Sequence, residues 1–217
     1  MPGCDGGNRT MCNLYRMTKS AAEVARLFNA KDALAGANMG SEIYPGHPGP
    51  VIAEGTLQAM VWGLPLQMKS KTGTLLNPKP VNNARTDKLN SFFWRRSFET
   101  RRCLIPLTGW AEAEGAKGAM TRSWMRAGEE ELFACAGVWR DSEEWGRSYA
   151  MVMTDAVGAA ADVHARMPVI LEGDARDAWV AAKPAEAIEL CVGYDGPVAI
   201  DRTDQPWSGR KAQQQLL

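Results

Sequence analysis

Short apolar segments separated by turn-forming residues constrain the fold of this chain more than any other feature of its sequence. Seven such segments have the composition of strands, at residues 51–53, 58–62, 103–107, 123–126, 131–139, 148–154 and 169–171. Long helices between successive strands are not indicated, which argues against a parallel sheet built from β-α-β units. We therefore predict a single α+β domain with a mostly antiparallel, barrel-like β core and flanking helices.

Helix signals are fewer. Ser20 and Glu23 have the spacing of a capping box, and Val24, Leu27 and Phe28 follow at helical intervals. The other predicted elements are helices at 88–98 and 174–181 and a strand at 189–192. Two segments rich in proline or polar residues are predicted to interrupt regular structure, 44–50 and 77–80.

The length of 217 residues suits one well-buried domain, which we place at residues 12–207. Residues 1–11 are rich in glycine and polar side chains, so we expect a disordered leader or a start site assigned too early. Residues 208–217 are predicted to be a flexible tail. No apolar run approaches the roughly 18–20 residues that span a bilayer, and no secretory signal is present, so we expect a cytoplasmic protein without a membrane partner.

Charge and metal-ligand content exclude several classes of protein. The formal net charge is zero, so binding to nucleic acid would depend on a local basic groove. Five widely spaced cysteines argue against a disulfide framework. With two histidines, a Cys/His metal cluster is not expected either. We therefore predict no cofactor and no metal.

Cys12 follows Met11 directly, and a methionine before a small residue is a plausible start that is normally trimmed. A terminal cysteine carries an α-amine beside its thiol, and the pair can capture an aldehyde as a five-membered thiazolidine. With a pKa of about 7.7–8.0, such an amine is partly neutral near pH 7, unlike a lysine. We expect translation to begin at Met11, or the leader to be cleaved. Position alone also allows an internal strand cysteine.

Three further segments carry polar side chains suited to a site. Asn83 and Arg85 lie in a polar run that offers donors to a sugar or phosphate, or forms a surface loop. Glu112 shares a strand face with Trp110 if the strand continues, and a carboxylate there would have a raised pKa. His164 is a candidate acid or base near neutrality, or a structural histidine.

The ordered series MCNLY, NNAR.D, RCLIPLTGW.E, L.ACAGVW and H.RMPVIL, from Met11 to about Trp179, resembles the SOS response-associated peptidase family, the abasic-site processing proteins. The resemblance implies an α+β barrel-like fold that senses abasic sites in single-stranded DNA. It implies a covalent thiazolidine crosslink through an N-terminal cysteine, which shields the lesion in the DNA-damage response. It also implies a peptidase that exposes this cysteine and a lyase side activity.

Residue by residue, the resemblance assigns the crosslinking cysteine to Cys12, its positioning to Asn83, proton transfer at the amine to Glu112, and protonation of the sugar oxygen to His164. The residues expected to bind DNA are Arg85, Arg16, Trp62, Trp110 and Arg166. Arg16 is included because Asn13 and Leu14 stand where the family has Gly-Arg. The expected partner is single-stranded DNA with abasic sites, bound by a monomer associated with the nucleoid.

Two other functions fit the same residues. A cysteine hydrolase would use Cys12 as nucleophile, His164 as base and Asn83 to orient the base. A non-covalent single-stranded DNA binder would use tryptophan and arginine side chains alone, and Cys12 would then be dispensable.

Overall fold

The computed structural model of the protein describes residues 12–34, 37 and 39–207. Within them the chain forms sixteen β-strands and five α-helices. The strands are β1 (Leu14–Arg16), β2 (Lys31–Asp32), β3 (Glu42–Ile43), β4 (Pro48–Ala53), β5 (Thr56–Trp62), β6 (Leu64–Lys69), β7 (Leu75–Val81), β8 (Asn83–Arg85), β9 (Arg102–Leu107), β10 (Gly109–Glu114), β11 (Thr121–Ala127), β12 (Phe133–Ser142), β13 (Gly146–Asp155), β14 (Arg166–Pro168), β15 (Ile170–Leu171) and β16 (Val198–Pro206). The helices are α1 (Ala21–Leu27), α2 (Arg95–Thr100), α3 (Ala160–Val163), α4 (Ala175–Ala181) and α5 (Pro184–Ala187).

A closed five-stranded barrel forms the centre of the fold. Its strands follow one another in the order β5-β4-β9-β12-β13, each antiparallel to the next. The barrel closes through a parallel pairing of β13 with β5, in which Ser148 lies opposite Val61 and Tyr149 opposite Trp62. The predicted α+β class with a mostly antiparallel, barrel-like core is confirmed.

A second sheet brings the start of the described chain close to the barrel. Its order is β16-β11-β10-β1-β3. Leu14 of β1 lies opposite Ala111 of β10. Cys12, two residues before Leu14, therefore lies beside β10. The short strand β8 lies against the barrel strand β13, with Asn83 opposite Met151. The first pairing places Cys12 beside β10, and the second places β8 on the barrel.

Most of the strand and helix predictions are confirmed. All seven predicted strands are present, although β12 and β13 extend beyond the predicted bounds and the predicted segment 169–171 contains only β15. Helix α1 begins with the predicted capping box, in which the Ser20 hydroxyl accepts the Glu23 amide and the Glu23 carboxylate accepts the Ser20 amide. Helix α4 fills the predicted segment 174–181.

The interruption predicted at 44–50 is confirmed for residues 44–47, which form a turn, and is wrong for residues 48–50, which belong to β4. The interruption predicted at 77–80 is wrong, because this segment lies within β7. In both strands the prolines occupy positions that need no second hydrogen-bonding partner. Pro48 and Pro50 begin β4, where the strand pairs only with β5; its contact with β9 is at Ile52. Gly49 between them has no side chain, and a Cβ there would meet the hydroxyls of Tyr15 and Tyr149. Strand β7 contains 77–80 and belongs to a two-stranded sheet, so each of its strands has a free edge that tolerates proline.

Two other predictions are corrected. The single helix predicted at 88–98 is a 3-10 turn at Thr86–Lys88 followed by the short α2. The strand predicted at 189–192 is a 3-10 turn at Ile188–Leu190, which continues directly from α5. Strand β16 was not predicted, because its sequence is polar and it lies at a sheet edge against β11.

The predicted leader, 1–11, and the predicted tail, 208–217, lie outside the described residues. None of the helices described is long and apolar enough to cross a membrane.

Candidate functional site around Cys12

The main chain of Cys12 is held by two consecutive asparagines. The side-chain amides of Asn82 and Asn83 both donate to the Cys12 carbonyl oxygen, at 2.9 and 2.7 Å. Asn82 also donates to Oδ1 of Asn13 at 3.0 Å. Its own backbone carbonyl accepts a hydrogen bond from the Trp62 indole at 3.0 Å. The sequence assigned a role at Cys12 to Asn83 alone, although the adjacent Asn82 and Asn83 both offer amide donors.

Glu112 lies on the other side of Cys12, in the middle of β10. Ala111 continues the strand, so Glu112 and Trp110 share a face as predicted. The carboxylate is 1% exposed and accepts the backbone N–H of Cys12. Burial raises the pKa of the Glu112 carboxyl well above its usual range, and the Cys12 N–H lowers it by less. Within the described part of the chain, Oε1 has no hydrogen-bond partner.

His164 completes this cluster from the junction of α3 and β14. Its Nδ1 is 3.9 Å from Glu112 Oε1 and 3.1 Å from both the amide nitrogen and the carbonyl oxygen of Arg166. The side chain is buried. The backbone of Arg166 therefore orients the imidazole beside the Glu112 carboxyl, at a separation that a small movement or a shared reactant would close.

The thiol of Cys12 is fully buried. Its Sγ donates to the Leu14 carbonyl at 3.5 Å. Burial raises the pKa of the Cys12 thiol well above its ordinary value, and the neighbouring Glu112 raises it further. The Cys12 thiol and the Glu112 carboxyl thus both favour their neutral, protonated forms in this environment.

The four residues assigned to catalysis from the sequence are therefore together in the structure. Cys12, Asn83, Glu112 and His164 come from four separate parts of the chain and are all buried. Asn83 Oδ1, like Glu112 Oε1, is buried without a hydrogen-bond partner in the part of the chain described. Both oxygens can therefore accept a hydrogen bond from a polar group that enters the site.

Arg85 and Arg166 lie together near this cluster. Arg85 pairs with Met153 of β13, and Arg166 with Asp155 two residues later. Arg85 makes a bidentate ion pair with Asp87, at 2.8 and 2.7 Å. This contact lowers the pKa of the Asp87 carboxyl, with a smaller contribution from Arg166. Arg166 is in turn paired with Asp155 at 3.2 Å, so each of these two guanidinium groups lies beside a carboxylate.

Arg16 belongs to a different part of the molecule. It is at the end of β1, and its guanidinium lies 4.5 Å from the centre of the Trp124 ring. Among the described residues, no ion pair, side-chain hydrogen bond or ring contact joins Arg16 to Arg85, whose guanidinium contacts Asp87.

The predicted stacking roles of Trp62 and Trp110 are corrected by the structure. Both rings are fully buried, so neither offers a face to a DNA base. Trp62 packs edge-on against Tyr15 and supports Asn82, and Trp110 packs against Phe133. Among the described aromatic side chains, the exposed one is Phe92, at 101%. Sequence reasoning missed it because the segment 88–98 was predicted to be one helix, whereas Phe92 lies in the turn before α2.

No group of three or more His, Cys, Asp or Glu side chains within residues 12–34, 37 and 39–207 is arranged to hold a metal ion. The other cysteines there, Cys103, Cys135 and Cys191, are free thiols. Burial raises the pKa of Cys191 to about 12. These thiols lack the paired asparagines that hold Cys12.

Comparison with known proteins gives a family and a fold. The family model described as SOS response associated peptidase (SRAP) matches residues 11–200. Among solved structures, a protein from Bacteroides thetaiotaomicron is 19% identical, with a TM-score of 0.71 and coverage of 89% of this chain and 93% of the other. A protein from Bordetella bronchiseptica is 20% identical, with a TM-score of 0.72 and coverage of 88% and 99%. A phage-related protein of the same organism is 20% identical, with a TM-score of 0.65 and coverage of 89% and 95%. No curated protein matches the sequence.

Proposed function

Since the chain belongs to the SOS response associated peptidase family, we propose that it captures abasic sites in single-stranded DNA covalently through Cys12. Membership supports a role associated with DNA damage and a DNA-related partner. The finer proposal is that the lesion's aldehyde is bound by both the nitrogen and the sulfur of one terminal residue. The crosslink would shield the lesion.

The contact between the Cys12 main-chain nitrogen and Glu112 carries this proposal. A buried carboxyl group lies against the backbone nitrogen of a cysteine, and the same cysteine is fixed by Asn82 and Asn83. A structural cysteine needs no acid at its amide. An N-terminal cysteine that forms a Schiff base does, because protons must be moved to and from its nitrogen.

The reaction is balanced without any redox partner. The neutral amine of Cys12 adds to the aldehyde carbon of the ring-opened sugar, and a proton moves from nitrogen to oxygen. Protonated Glu112 then donates a proton as the hydroxyl leaves as water, and regains it from nitrogen to give the imine. The thiol adds to the imine carbon, and its proton ends on nitrogen. One water is released, and intramolecular ring closure gains the advantage of tethered reactants.

His164 has a separate task in this scheme. An abasic sugar is mainly a closed hemiacetal, so its ring oxygen must gain a proton as the ring opens and the anomeric hydroxyl loses one. The imidazole lies beside Glu112 and can donate a proton from one ring nitrogen and accept one at the other. The Schiff base also acidifies the adjacent sugar C–H, so lyase cleavage of the strand would be a side reaction.

The chemistry requires that nothing precede Cys12. The lone pair of an amide nitrogen is delocalised into its carbonyl group, so a Cys12 joined to Met11 cannot form a Schiff base. The proposal therefore includes removal of Met11 and any residues before it, either after initiation at Met11 or by cleavage of the Met11–Cys12 bond. The second route would account for the peptidase in the family's name.

A cysteine hydrolase is less well supported. Its nucleophile is a thiolate, whereas burial and the neighbouring Glu112 raise the pKa of the Cys12 thiol. A cysteine hydrolase would also be active while Cys12 is still joined to Met11, whereas crosslinking requires a free amine. This difference distinguishes the two functions.

The test is a crosslinking assay with a chain that begins at Met11 and whose mass shows loss of that methionine. It is mixed with a single-stranded oligonucleotide that contains an abasic site and run on a denaturing gel. We expect a heat-stable shifted band, lost in Cys12→Ala and retained in the control Cys191→Ala. A form that keeps residues before Cys12, verified by mass, should give no band. A band that persists in Cys12→Ala, or none with the free amine, would overturn the proposal.

A further inference from the structure

Strands β6 and β7 form a two-stranded antiparallel sheet, here called the basic hairpin (residues 64–81). It contains Lys69, Lys71 and Lys79 and no Asp or Glu, although the chain as a whole has 25 of each sign. All three lysines are exposed, and none makes an ion pair within the described residues. The hairpin is thus a local concentration of unpaired positive charge on a neutral protein.

Leucines lie beside these lysines. Leu66 is 38% exposed and lies opposite Lys79, and Leu75 is 64% exposed and lies opposite Lys69. Directly opposed residues of an antiparallel pair are on the same face, about 4.5–5.5 Å apart at Cβ. Each pair therefore presents a cation and an apolar side chain together, a combination that suits a ligand with alternating anionic and apolar groups.

The base of the hairpin is anchored next to the Cys12 site. Leu64 is fully buried, and the amide of Gly63 donates to the Tyr149 carbonyl of the barrel at 2.7 Å. At the other strand, β7 ends at Val81 and the next two residues are Asn82 and Asn83, which hold Cys12. A ligand that extends along β7 to Val81 therefore ends next to the asparagines that hold Cys12.

We propose that the basic hairpin binds the single-stranded DNA that flanks the abasic site. Its lysines contact phosphates and its leucines pack against unstacked bases, so the strand is held with the lesion at Cys12. This inference rests on the proposed function and adds to it a surface for the undamaged part of the substrate. Charge complementarity favours a polyanion over a peptide that would pair with the free edges of the hairpin.

Non-covalent binding tests the hairpin separately from the crosslink. The full chain is titrated into a fluorescent single-stranded oligonucleotide with a tetrahydrofuran residue, which lacks an aldehyde, at several salt concentrations. The variant Lys69→Gln/Lys71→Gln/Lys79→Gln should bind at least about tenfold more weakly at low salt. The slope of log K against log salt should fall by about 2, since each single-strand phosphate contact contributes about 0.7.

The matched control removes the same charge elsewhere. Lys31, Lys117 and Lys183 are exposed, lie outside the hairpin and form no ion pair in the part of the chain described. Their triple Gln variant should keep a slope close to that of the unmodified protein. Leu66→Ala/Leu75→Ala should weaken binding several-fold with the slope unchanged. Equal affinities and slopes for the hairpin and control variants would overturn the inference.

A second measurement separates this inference from the function on which it rests. The form with a free Cys12 amine is incubated with 2-deoxyribose, and the mass of the protein is measured. We expect a gain of one sugar minus one water in both the unmodified protein and the hairpin variant. No adduct in either would reject the crosslinking proposal while leaving the binding result intact. Binding of the hairpin to phosphatidylserine vesicles but not to DNA would instead reject the DNA partner.

Discussion

Cys12, Asn83, Glu112 and His164 are each less than a tenth exposed, whereas Leu66, Leu75 and the lysines of the basic hairpin lie in solvent. The two regions are joined directly, because β7 runs into the asparagines that hold Cys12. In the buried region, low polarity shifts the pKa values of the groups that are to react. In the exposed region, charge remains hydrated and available to a long polyanion. We therefore expect the rate of crosslinking and the affinity for DNA to respond to different substitutions.

Glu112→Gln should have the largest effect, a loss of crosslinking rate without a loss of DNA affinity. If Glu112 moves protons at the Cys12 nitrogen, crosslinking should slow by about 10²–10⁴-fold, the usual contribution of a general acid or base. Affinity for the tetrahydrofuran oligonucleotide should not change. The control is Glu114→Gln in the same strand, where the carboxylate is paired with Arg202 at 3.0 Å. An equal loss of rate in both variants would contradict a specific role for Glu112.

His164→Gln should slow crosslinking by about 10²-fold, at the lower end of the range for acid–base catalysis. Its effect should be larger on a closed abasic sugar than on a simple aldehyde, since only the sugar requires ring opening. His47→Gln, at the other histidine, is the control and should react normally. If His164→Gln slows the reactions with the abasic sugar and with the simple aldehyde equally, His164 has a structural role and does not assist ring opening.

Phe92→Ala tests an exposed aromatic outside the hairpin. We propose that Phe92, and not Trp62 or Trp110, stacks on an unpaired base. Its loss should weaken binding by about 1–3 kcal/mol, the usual value for stacking of one base on an aromatic ring. Phe92→Trp should retain affinity, and the crosslinking rate at saturating DNA should be unchanged in both. Equal affinity of Phe92→Ala and the unmodified protein would remove Phe92 from the binding surface.

The buried carboxyl group should also affect folding. Its pKa is raised in the folded protein, so its contribution is most favourable below the unfolded pKa of about 4.3 and is lost as pH rises through the folded value. Glu112→Gln removes this cost and should raise the free energy of unfolding at alkaline pH by about 1–2 kcal/mol. The gain should disappear near pH 4. Urea unfolding of both proteins across this pH range measures the gain. A gain that does not change with pH would exclude titration of Glu112 as its cause.

Arg16→Ala is expected to have the smallest effect. We propose that Arg16, held over Trp124, makes one phosphate contact. Its removal should lower the salt slope of binding by about 0.7 and the affinity by a few-fold. Arg26→Ala, on the exposed face of α1, should leave the slope unchanged. A slope unaffected by Arg16→Ala would restrict the role of this arginine to packing on Trp124.

Local chemistry made part of this structure predictable. The capping box of α1 was recognised from two residues, and the barrel strands from short apolar segments whose side chains have few other ways to be buried. Predictions failed where the outcome depended on neighbours. Pro48 and Pro78 were treated as breaks, because the sequence does not show that their strands have a side without a partner.

The sequence by itself determined the α+β class, the positions of the five barrel strands and, through resemblance to a family, the four residues that meet at the Cys12 site. Only the tertiary structure decided which aromatic rings are buried, that Asn82 joins Asn83 at the Cys12 carbonyl, and that Glu112 contacts the Cys12 nitrogen. The physical reason is that burial and hydrogen bonding are set by residues distant in sequence. Composition and spacing carry no information on which of those residues meet.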